Sequence, residues 1–550
     1  MVLSQTNRSE NDGNYKQMNL REKLIQNKLE IVLCILAFGF FLYMAMNKLM
    51  ATPLWLDETL EYYISKYMTG EIPWYSNNGI MGTTNMYQRM LGAFQPPLYN
   101  FLMYFWIGIR DTEWWFRIWN VLMSALSAMG IYKTVKRLSS YRVAALSVVI
   151  YSCVYQVIYY TQECAEYSMQ LMSIAWLVYF YFQLFENNDL KNMIWFAVFC
   201  SIAMYTQYGA AFVVVPMLLS ILIRVFQSKS AVAIRQIVVV YLLTFLAAAV
   251  PLIVCFLIPQ MKNQVPSSEN VEAWNFYNNS VLQDFLQMFL DVFRWNTIES
   301  ITRFYYPALA ASLGLLLLAI FLWVFSKDKL LKHLLLCNVA TWILFYIPTR
   351  AGIYGRGYFG FRYNIFFIPL WLISIVYLLY ELYRVMGRMQ NVQRRRIAQR
   401  LYGILMMILA AGYCIYGAHQ IHKGWEKADT RGCVKAWYEK EGYQVPTFVE
   451  INQAPSFSYY FEHDARYQSE YEKNIYREEI QIGYVEDSYA EEYAQYDDYL
   501  KNTFGFKLPD EMYLFVGNKE ESRLFSVLQD KGYQIEEVYK TTAQLYYAHK

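Results

Sequence analysis

Two adjacent carboxylates, Asp57 and Glu58, follow directly after the first apolar run of the chain. A carboxylate at the end of a membrane helix is energetically costly unless it is hydrated, paired with a cation or required for function. Its position suits a general base that takes a proton from an acceptor at a membrane surface. The alternative is a favourable helix start, because acidic side chains stabilise the first turn of a helix. The residues alone leave both interpretations open.

A second polar group, Gln162, Glu163 and Glu166, lies between two apolar runs. An unpaired carboxylate is expensive there. Glu163 and Glu166 share one face if the next helix has already begun. The group caps a helix or contacts a ligand or metal ion, and the residues alone favour capping.

Arg350, Arg356 and Arg362 share the short stretch 349–363 with four glycines. Guanidinium forks match phosphate oxygens, and glycines let the backbone approach an anion closely. The stretch therefore predicts an anion site at the level of the lipid head groups. The alternative is that the arginines reach lipid phosphates without specificity.

A carboxylate base and a phosphate-binding arginine at a lipid surface together indicate a reaction. An acceptor hydroxyl or amine attacks a sugar linked to a polyprenyl phosphate. The carboxylate takes the proton and the arginine stabilises the departing phosphate.

The elements that must position these residues are membrane helices. The chain is 56% hydrophobic and only 17% charged, whereas soluble domains have about 25% charged residues. Between the first two spans, the apolar run 101–109 is too short to cross a bilayer and predicts a helix lying at the surface. The hydropathy pattern predicts about eleven transmembrane helices: 31–49, 115–134, 143–160, 166–185, 193–208, 210–226, 236–258, 306–325, 331–348, 364–386 and 401–419.

Basic residues concentrate in alternate loops, with six arginines between 384 and 400. The positive-inside rule then predicts a multi-pass protein of the plasma membrane with a cytoplasmic N-terminus. An odd number of spans places the C-terminus outside. Residues 421–550 carry a net charge of −9 and the remainder +12, which fits that orientation.

The predicted organisation is a cytoplasmic segment 1–30, a transmembrane catalytic part 31–420 with a first external loop at 50–114, and an extracytoplasmic domain 421–550. Extended runs at 447–451, 512–516 and 535–539 alternate with helical runs, which predicts a small α/β or α+β domain. Seven of the eight cysteines lie in or beside apolar runs, so no disulfide framework is predicted. Nothing predicts a nucleic-acid partner.

At these residues the chain resembles the GT-C membrane glycosyltransferases, most closely the bacterial branch related to protein O-mannosyltransferases and lipid A aminoarabinose transferases. The resemblance covers roughly residues 31–390. It rests on Trp55-Leu56-Asp57-Glu58, Gln95-Pro96-Pro97-Leu98-Tyr99-Asn100, Arg117, the stretch from Tyr159 to Ala165, and Arg362-Tyr363.

The resemblance implies an inverting transferase with Asp57 as the base, assisted by Glu58. The donor is a polyprenyl-phosphate sugar bound on the outer face, and the acceptor is a glycan, lipid or protein. Relatives differ in metal dependence, so no cofactor is predicted with certainty and a divalent cation stays open. The residues assigned to the donor and its phosphate are Arg362, Arg356, Tyr363, Glu163, Gln162 and Gln95.

Two positions depart from the pattern of the relatives. Gln95 replaces a histidine, and Ala165 stands where an arginine is common. Glu163 therefore needs another cationic partner, for which Arg356 is a candidate.

Two other classes of function compete with glycosyl transfer. A transporter or lipid flippase explains the spans and the arginines, but it normally needs charged or broken helices near the membrane midplane. A receptor or scaffold acting through the C-terminal domain is the other alternative.

Overall fold

The computed structural model describes residues 20–74, 85–92, 95–187, 189–228, 231–263, 305–351, 362, 364–478, 489–504, 508–517, 524–541 and 543–550. The anion-site prediction is only partly covered, because Arg356 and Tyr363 lie outside these residues. Arg350 and Arg362 lie within them.

The chain up to residue 423 is helical in the described ranges. Its helices are α1 (Leu20–Met46), α2 (Leu56–Lys66), α3 (Met86–Gly92), α4 (Leu98–Ile109), α5 (Glu113–Leu138), α6 (Tyr141–Ser152), α7 (Tyr155–Thr161), α8 (Tyr167–Glu186), α9 (Leu190–Thr206), α10 (Ala211–Ser228), α11 (231–263), α12 (Tyr305–Phe325), α13 (Lys329–Arg350), α14 (Phe367–Met386) and α15 (Val392–Lys423). Each of the eleven predicted spans lies on one of these helices or, for 143–160, on the pair α6 and α7.

Seven helices within the described residues are long and apolar enough to cross a membrane, or eight if α6 and α7 count as one span. α9 has only 17 residues. α5 is long enough, but it carries Glu113 and Arg117 at one end and Lys136 and Arg137 at the other. The chain is thus a multi-pass membrane protein.

The predicted span 143–160 is not one straight helix. α6 ends at Ser152, α7 begins at Tyr155, and the two are bent by 68°. The last membrane helix packs against this break: a Cβ atom added to Gly417 would lie 1.9 Å from the carbonyl oxygen of Cys153. Only a residue without a side chain fits there.

The apolar run 101–109 of the first loop lies on one short helix, α4. α4 has 12 residues, which span about 18 Å, well short of the roughly 30 Å of a bilayer core. It buries Tyr99 and Met103 and exposes Phe105 and Ile109. The exposed side of α4 is thus apolar, and its location at the membrane surface stays a prediction.

A five-stranded mixed sheet forms the centre of the C-terminal domain. Its elements are α16 (Thr430–Glu439), β1 (Thr447–Val449), α17 (Ala454–Glu462), β2 (Ile475–Arg477), α18 (Tyr489–Phe504), β3 (Glu511–Val516), α19 (Leu524–Asp530), β4 (Gln534–Lys540) and β5 (Gln544–His549). The strand order is β2-β1-β3-β5-β4. Strand β1 is parallel to both of its neighbours, β2 and β3. Strand β5 is antiparallel to both of its neighbours, β3 and β4.

Alternate residues of the strands serve two different cores, as the two-residue period of a strand requires. Met512 and Leu514 pack with Leu500 of α18 and Leu528 of α19. Tyr513 and Phe515 of β3 pack with α16 and α17 on the opposite face. The predicted α/β domain is therefore a sheet between two helical layers. The three predicted extended runs lie on β1, β3 and β4.

The C-terminal domain does not stand apart from the membrane part. One hydrophobic core contains Leu54, Tyr62 and Tyr99 together with Trp437 and Phe457 of the domain. The segment between α1 and α5 and the domain are therefore packed on each other at one end of the helix bundle.

Candidate functional site

The two adjacent carboxylates of α2 have opposite environments. Asp57 is partly open to solvent, with 36% of its side chain exposed, and its Oδ2 lies 2.6 Å from Nη1 of Arg362. Glu58 is completely buried. Consecutive residues of a helix do not face each other, so one carboxylate reaches the solvent-facing site and the other points into the protein.

Arg362 brings a distant part of the chain to Asp57. It lies 305 residues away in the sequence, and 18% of its side chain is exposed. The backbone carbonyl of Arg362 accepts a hydrogen bond from the amide of Gln207 at 3.4 Å, which anchors it to the turn before α10. The structure therefore brings together the predicted base and one predicted phosphate ligand.

Glu58 is held by cations and a backbone amide. Its Oε2 lies 2.8 Å from Nζ of Lys427, and its Oε1 lies 3.7 Å from Arg117. The backbone N–H of Cys164 donates to Oε1 at 2.9 Å. Burial alone would raise the pKa of Glu58, but Lys427 and Arg117 outweigh it and hold that pKa below its usual value. Glu58 is thus a buried anion in an ion network.

Glu163 shares the same lysine. Its Oε2 lies 3.1 Å from Nζ of Lys427, and the Lys427 side chain is only 4% exposed. Burial raises the pKa of Glu163; Lys427 acts against this, while the charges of Glu58 and Asp57 act with it. The partner that the sequence analysis sought for Glu163 is therefore Lys427. The candidate Arg356 lies outside the described residues.

The network continues with alternating charge. Arg117 lies 3.2 Å from Glu113, and Arg431 lies 3.7 Å from the same carboxylate. Three carboxylates and three cations therefore alternate along one chain of contacts, in the order Glu163, Lys427, Glu58, Arg117, Glu113 and Arg431. It joins the starts of α2 and α5, the turn before α8 and the beginning of the C-terminal domain.

Two further carboxylates lie near Asp57. Glu61 follows one turn later on α2 and accepts a hydrogen bond from the amide of Asn100 at 2.5 Å. Burial raises the pKa of Glu61 to about 7; the bond from Asn100 lowers it and the charge of Asp57 raises it. Burial also raises the pKa of Glu166, with Glu61 acting in the same direction and Arg362 against it. The sequence analysis missed Glu61, although its spacing of four residues from Asp57 was a usable signal.

The two glutamines assigned to the donor make contacts within the protein. The amide of Gln162 donates to the carbonyls of Ala45 and Asn47 at 2.9 and 2.7 Å, which ties the end of α7 to the end of α1. The backbone carbonyl of Gln95 accepts from the amide of Gln260 at 3.2 Å.

Within the described residues, no group of three or more histidine, cysteine, aspartate or glutamate side chains is placed to hold a metal ion. Three described carboxylates of the cluster are engaged otherwise: Asp57 with Arg362, and Glu58 and Glu163 with Lys427. The described carboxylates of this cluster therefore do not form a metal site in this geometry.

Comparisons with known proteins agree with the fold. The family model described as dolichyl-phosphate-mannose-protein mannosyltransferase matches residues 94–254. No curated protein matches the sequence.

Among solved structures, ArnT from Cupriavidus metallidurans bound to undecaprenyl phosphate matches with a TM-score of 0.52 at 10% identity, over 96% of this chain and 98% of that chain. Its apo state matches with a TM-score of 0.50 at the same identity and coverage. The apo oligosaccharyltransferase of Archaeoglobus fulgidus matches with a TM-score of 0.49 at 12% identity, over 78% of this chain and 63% of that chain.

The likeness to ArnT extends over nearly the whole chain, including the C-terminal domain. It confirms the predicted fold, a polytopic helical membrane part of the GT-C type followed by a small α/β domain. The resemblance that the motifs suggest is confirmed as well.

Proposed function

We propose that this protein is an inverting glycosyltransferase that moves a sugar from a polyprenyl-phosphate donor to an acceptor on the outer face of the membrane. Asp57 is the general base and Arg362 binds the donor phosphate. The observation that carries the proposal is the Asp57–Arg362 pair at 2.6 Å, a partly exposed carboxylate beside a partly exposed guanidinium.

The fold and the family match support the reaction class. The protein of the same fold, ArnT, has been solved with undecaprenyl phosphate bound, and the matching family model describes transfer from dolichyl-phosphate-mannose to protein. Both ligands are polyprenyl phosphates. A donor of this chemical class suits a site at the end of the helix bundle that combines a base, Asp57, with an arginine, Arg362.

The chemistry is a single displacement. The acceptor hydroxyl or amine gives its proton to the Asp57 carboxylate while its oxygen or nitrogen forms a bond to the anomeric carbon of the sugar. The bond from that carbon to the phosphate oxygen breaks, and the electron pair leaves with the lipid phosphate. Arg362 stabilises the growing negative charge. One displacement inverts the anomeric centre.

Arg362 can serve both the base and the phosphate. A guanidinium carries five N–H donors in a planar fork, and one of its terminal nitrogens already engages Asp57. A planar fork of this kind can contact a carboxylate and a phosphate at the same time. This arrangement would hold the base close to the leaving group and orient it toward the acceptor.

The proposal is tested first by identifying the reaction and then by removing the base. Cell-envelope glycans and glycolipids are compared with and without the protein. Purified protein in lipid is then assayed for transfer from polyprenyl-phosphate sugars. We expect Asp57→Asn to lower turnover by about 10² to 10⁴, the usual worth of general-base catalysis.

Binding of undecaprenyl phosphate, followed separately, should persist in the Asp57→Asn variant because an amide does not repel phosphate. Glu71→Gln, at an exposed carboxylate of the same loop, is the matched control and should transfer normally. Transfer by Asp57→Asn at the native rate removes Asp57 from the mechanism. Loss of phosphate binding in that variant makes Asp57 a structural residue instead.

A further inference from the structure

The connection between the last membrane helix and the C-terminal domain enters the site. α15 ends at Lys423, and residues 424–429 run on without helix or strand to α16. The ring of Trp425 packs edge-on against Tyr155 and Tyr159 of α7, with ring centres 5.8 and 5.1 Å apart. Two residues later, Lys427 lies between α2 and the turn that follows α7.

The ammonium group of Lys427 is surrounded on several sides. It lies 2.8 Å from Glu58 and 3.1 Å from Glu163, and 5.7 and 5.3 Å from the ring centres of Trp55 and Tyr159. Lysine is rarely buried unless it is paired. Removing it would leave two buried carboxylates without their shared cation, which is strongly destabilising for such groups.

A second set of contacts joins the same domain to the residues that flank Asp57. The backbone N–H of Leu54 donates to the hydroxyl of Tyr460 at 2.6 Å. The hydroxyl groups of Thr59 and Ser456 lie 3.1 Å apart. The domain therefore contacts the chain three residues before the predicted base, just ahead of α2, and again two residues after it, within α2.

We propose that the C-terminal domain is part of the catalytic unit, and that Lys427 is a positioning residue that fixes Glu58 and Glu163 so that Asp57 faces Arg362. The part of this inference that concerns turnover rests on the proposed function. The part that concerns docking of the domain on α2 does not.

Lys427 connects to Asp57 through the helix itself. Asp57 and Glu58 share the first turn of α2, so a rotation or shift of Glu58 moves its neighbour. Glu163 is fixed in addition by Asn120, whose amide donates to the Glu163 backbone carbonyl. The lysine thus joins the short helix α2 to a well-anchored turn, and misplacement of a reacting group by about 1 Å can cost a factor of about 100 in rate.

The experiment uses the full-length protein in lipid with four variants: Lys427→Met, Lys427→Arg, Glu163→Gln and the double variant Lys427→Met/Glu163→Gln. Lys435→Met is the control, because that lysine belongs to the same domain and 69% of its side chain is exposed. Turnover, KM for a polyprenyl-phosphate sugar, undecaprenyl phosphate binding, thermal unfolding and protease cleavage within 424–429 are measured for each.

We expect Lys427→Met to lower kcat about 10- to 100-fold, with KM and undecaprenyl phosphate binding within about twofold of the native values. Lys427→Arg should recover most of the rate because it keeps the charge. The double variant should unfold at a higher temperature than Lys427→Met, because one surplus buried charge is gone. Protease cleavage of the connection should increase in Lys427→Met and not in Lys435→Met.

The inference is overturned if Lys427→Met behaves like Lys435→Met in turnover and in unfolding. It is also overturned if Lys427→Arg fails as badly as Lys427→Met, since charge would then not be what matters. If the native protein transfers no sugar but unfolding and proteolysis change as expected, the docking stands and the proposed function fails. The two failures are therefore distinguishable.

Discussion

Neighbouring residues of one helix can have unrelated roles when one faces solvent and the other faces the core. Asp57 shares its proton-accepting oxygens with solvent and Arg362, whereas Glu58 gives both oxygens to Lys427, Arg117 and the Cys164 amide. A carboxylate so fully paired is poorly placed to take a proton from an acceptor. The assistance that the sequence resemblance assigns to Glu58 is best understood as orientation, and Asp57 is the stronger candidate for the base.

Replacing Arg362 by lysine tests the phosphate contact. A lysine can keep the pair with Asp57 as a point charge, but it loses the planar fork that binds phosphate through two oxygens. One lost charge-assisted hydrogen bond costs about 1.5–3 kcal/mol, so transfer should fall roughly 10- to 150-fold. The measurement is transfer and undecaprenyl phosphate binding by the inserted protein. Arg394→Lys, at an exposed arginine, is the control, and near-normal activity of Arg362→Lys would move the phosphate contact elsewhere.

Glu61 should make the stability of the protein depend on pH. Its pKa is about 7 in the folded protein against an ordinary value of 4.5. Between these values the folded state keeps the proton that the unfolded state has lost, so the free energy of unfolding falls as the pH rises. Above pH 7 this contribution of Glu61 to the free energy of unfolding is lost completely. Because the residue is partly exposed, we expect about 1–3 kcal/mol from this shift.

Glu61→Gln should therefore flatten that dependence. The variant should lose less thermal stability than the native protein when the pH is changed from 5 to 8. Glu71→Gln should keep the native dependence, because Glu71 is exposed. An unchanged pH dependence in Glu61→Gln would show that Glu61 titrates near its ordinary pKa in the folded protein.

The residues of the site differ in how far the sequence reveals them. Asp57 and Arg362 could be predicted because each lies in a short polar stretch beside an apolar run, where charge is costly. Lys427 could not, because a lysine in the charged sequence after the last span is typical of a solvated connection. The sequence gives only indirect evidence for it: Ala165 stands where an arginine is common in the relatives, so Glu163 needs a cation from elsewhere in the chain. The contact spans 264 residues, and no local pattern encodes such a distance.

At the scale of elements, the bend between α6 and α7 brings α7 against Lys427. α7 presents Tyr159 to Lys427 and ends at the turn that carries Glu163. The hydropathy of 143–160 is continuous across Cys153, so it predicts a single span. It does not predict the bend. The bend depends on tertiary packing, with Gly417 of α15 against the Cys153 carbonyl.

A side chain at Gly417 should push α15 away from this break. Its Cβ would lie 1.9 Å from the Cys153 carbonyl oxygen, far inside contact distance, whereas Gly412 of the same helix has nothing within 4 Å. Overpacking of this kind costs typically 1–3 kcal/mol. We expect Gly417→Ala to lower the thermal unfolding temperature and sugar transfer. Gly412→Ala should be neutral or slightly stabilising, and equal behaviour of the two variants would contradict this packing.

At the scale of the whole molecule, segments from four parts of the chain meet at one end of the helix bundle. They are the start of α2, the turn before α8, the residue Arg362 and the connection at Lys427. The helices and strands could largely be predicted from periodicity, because each is a local pattern. The docking of the C-terminal domain could not, because it depends on the complementarity of Tyr62, Tyr459 and their neighbours across almost 400 residues.

The docking also sharpens the prediction of topology. The C-terminal domain shares a hydrophobic core with the Asp57 loop, so both must lie on the same side of the membrane. α15 has 32 residues and is about 48 Å long, enough to cross the bilayer with several turns to spare. We therefore predict that its arginine-rich start lies on the opposite side, and the positive-inside rule predicts that this side is the cytoplasm.

Cysteines introduced at Arg396 and at Lys550, both exposed, should therefore respond oppositely to a membrane-impermeant thiol reagent. The Lys550→Cys protein should be labelled in intact cells, and the Arg396→Cys protein only after lysis. The parent protein gives the baseline, since its tail cysteine, Cys433, is buried in the domain core. Labelling of Lys550→Cys only after lysis would place Asp57 and Arg362 in the cytoplasm. The proposed transfer would then have to use a donor and an acceptor on the inner face.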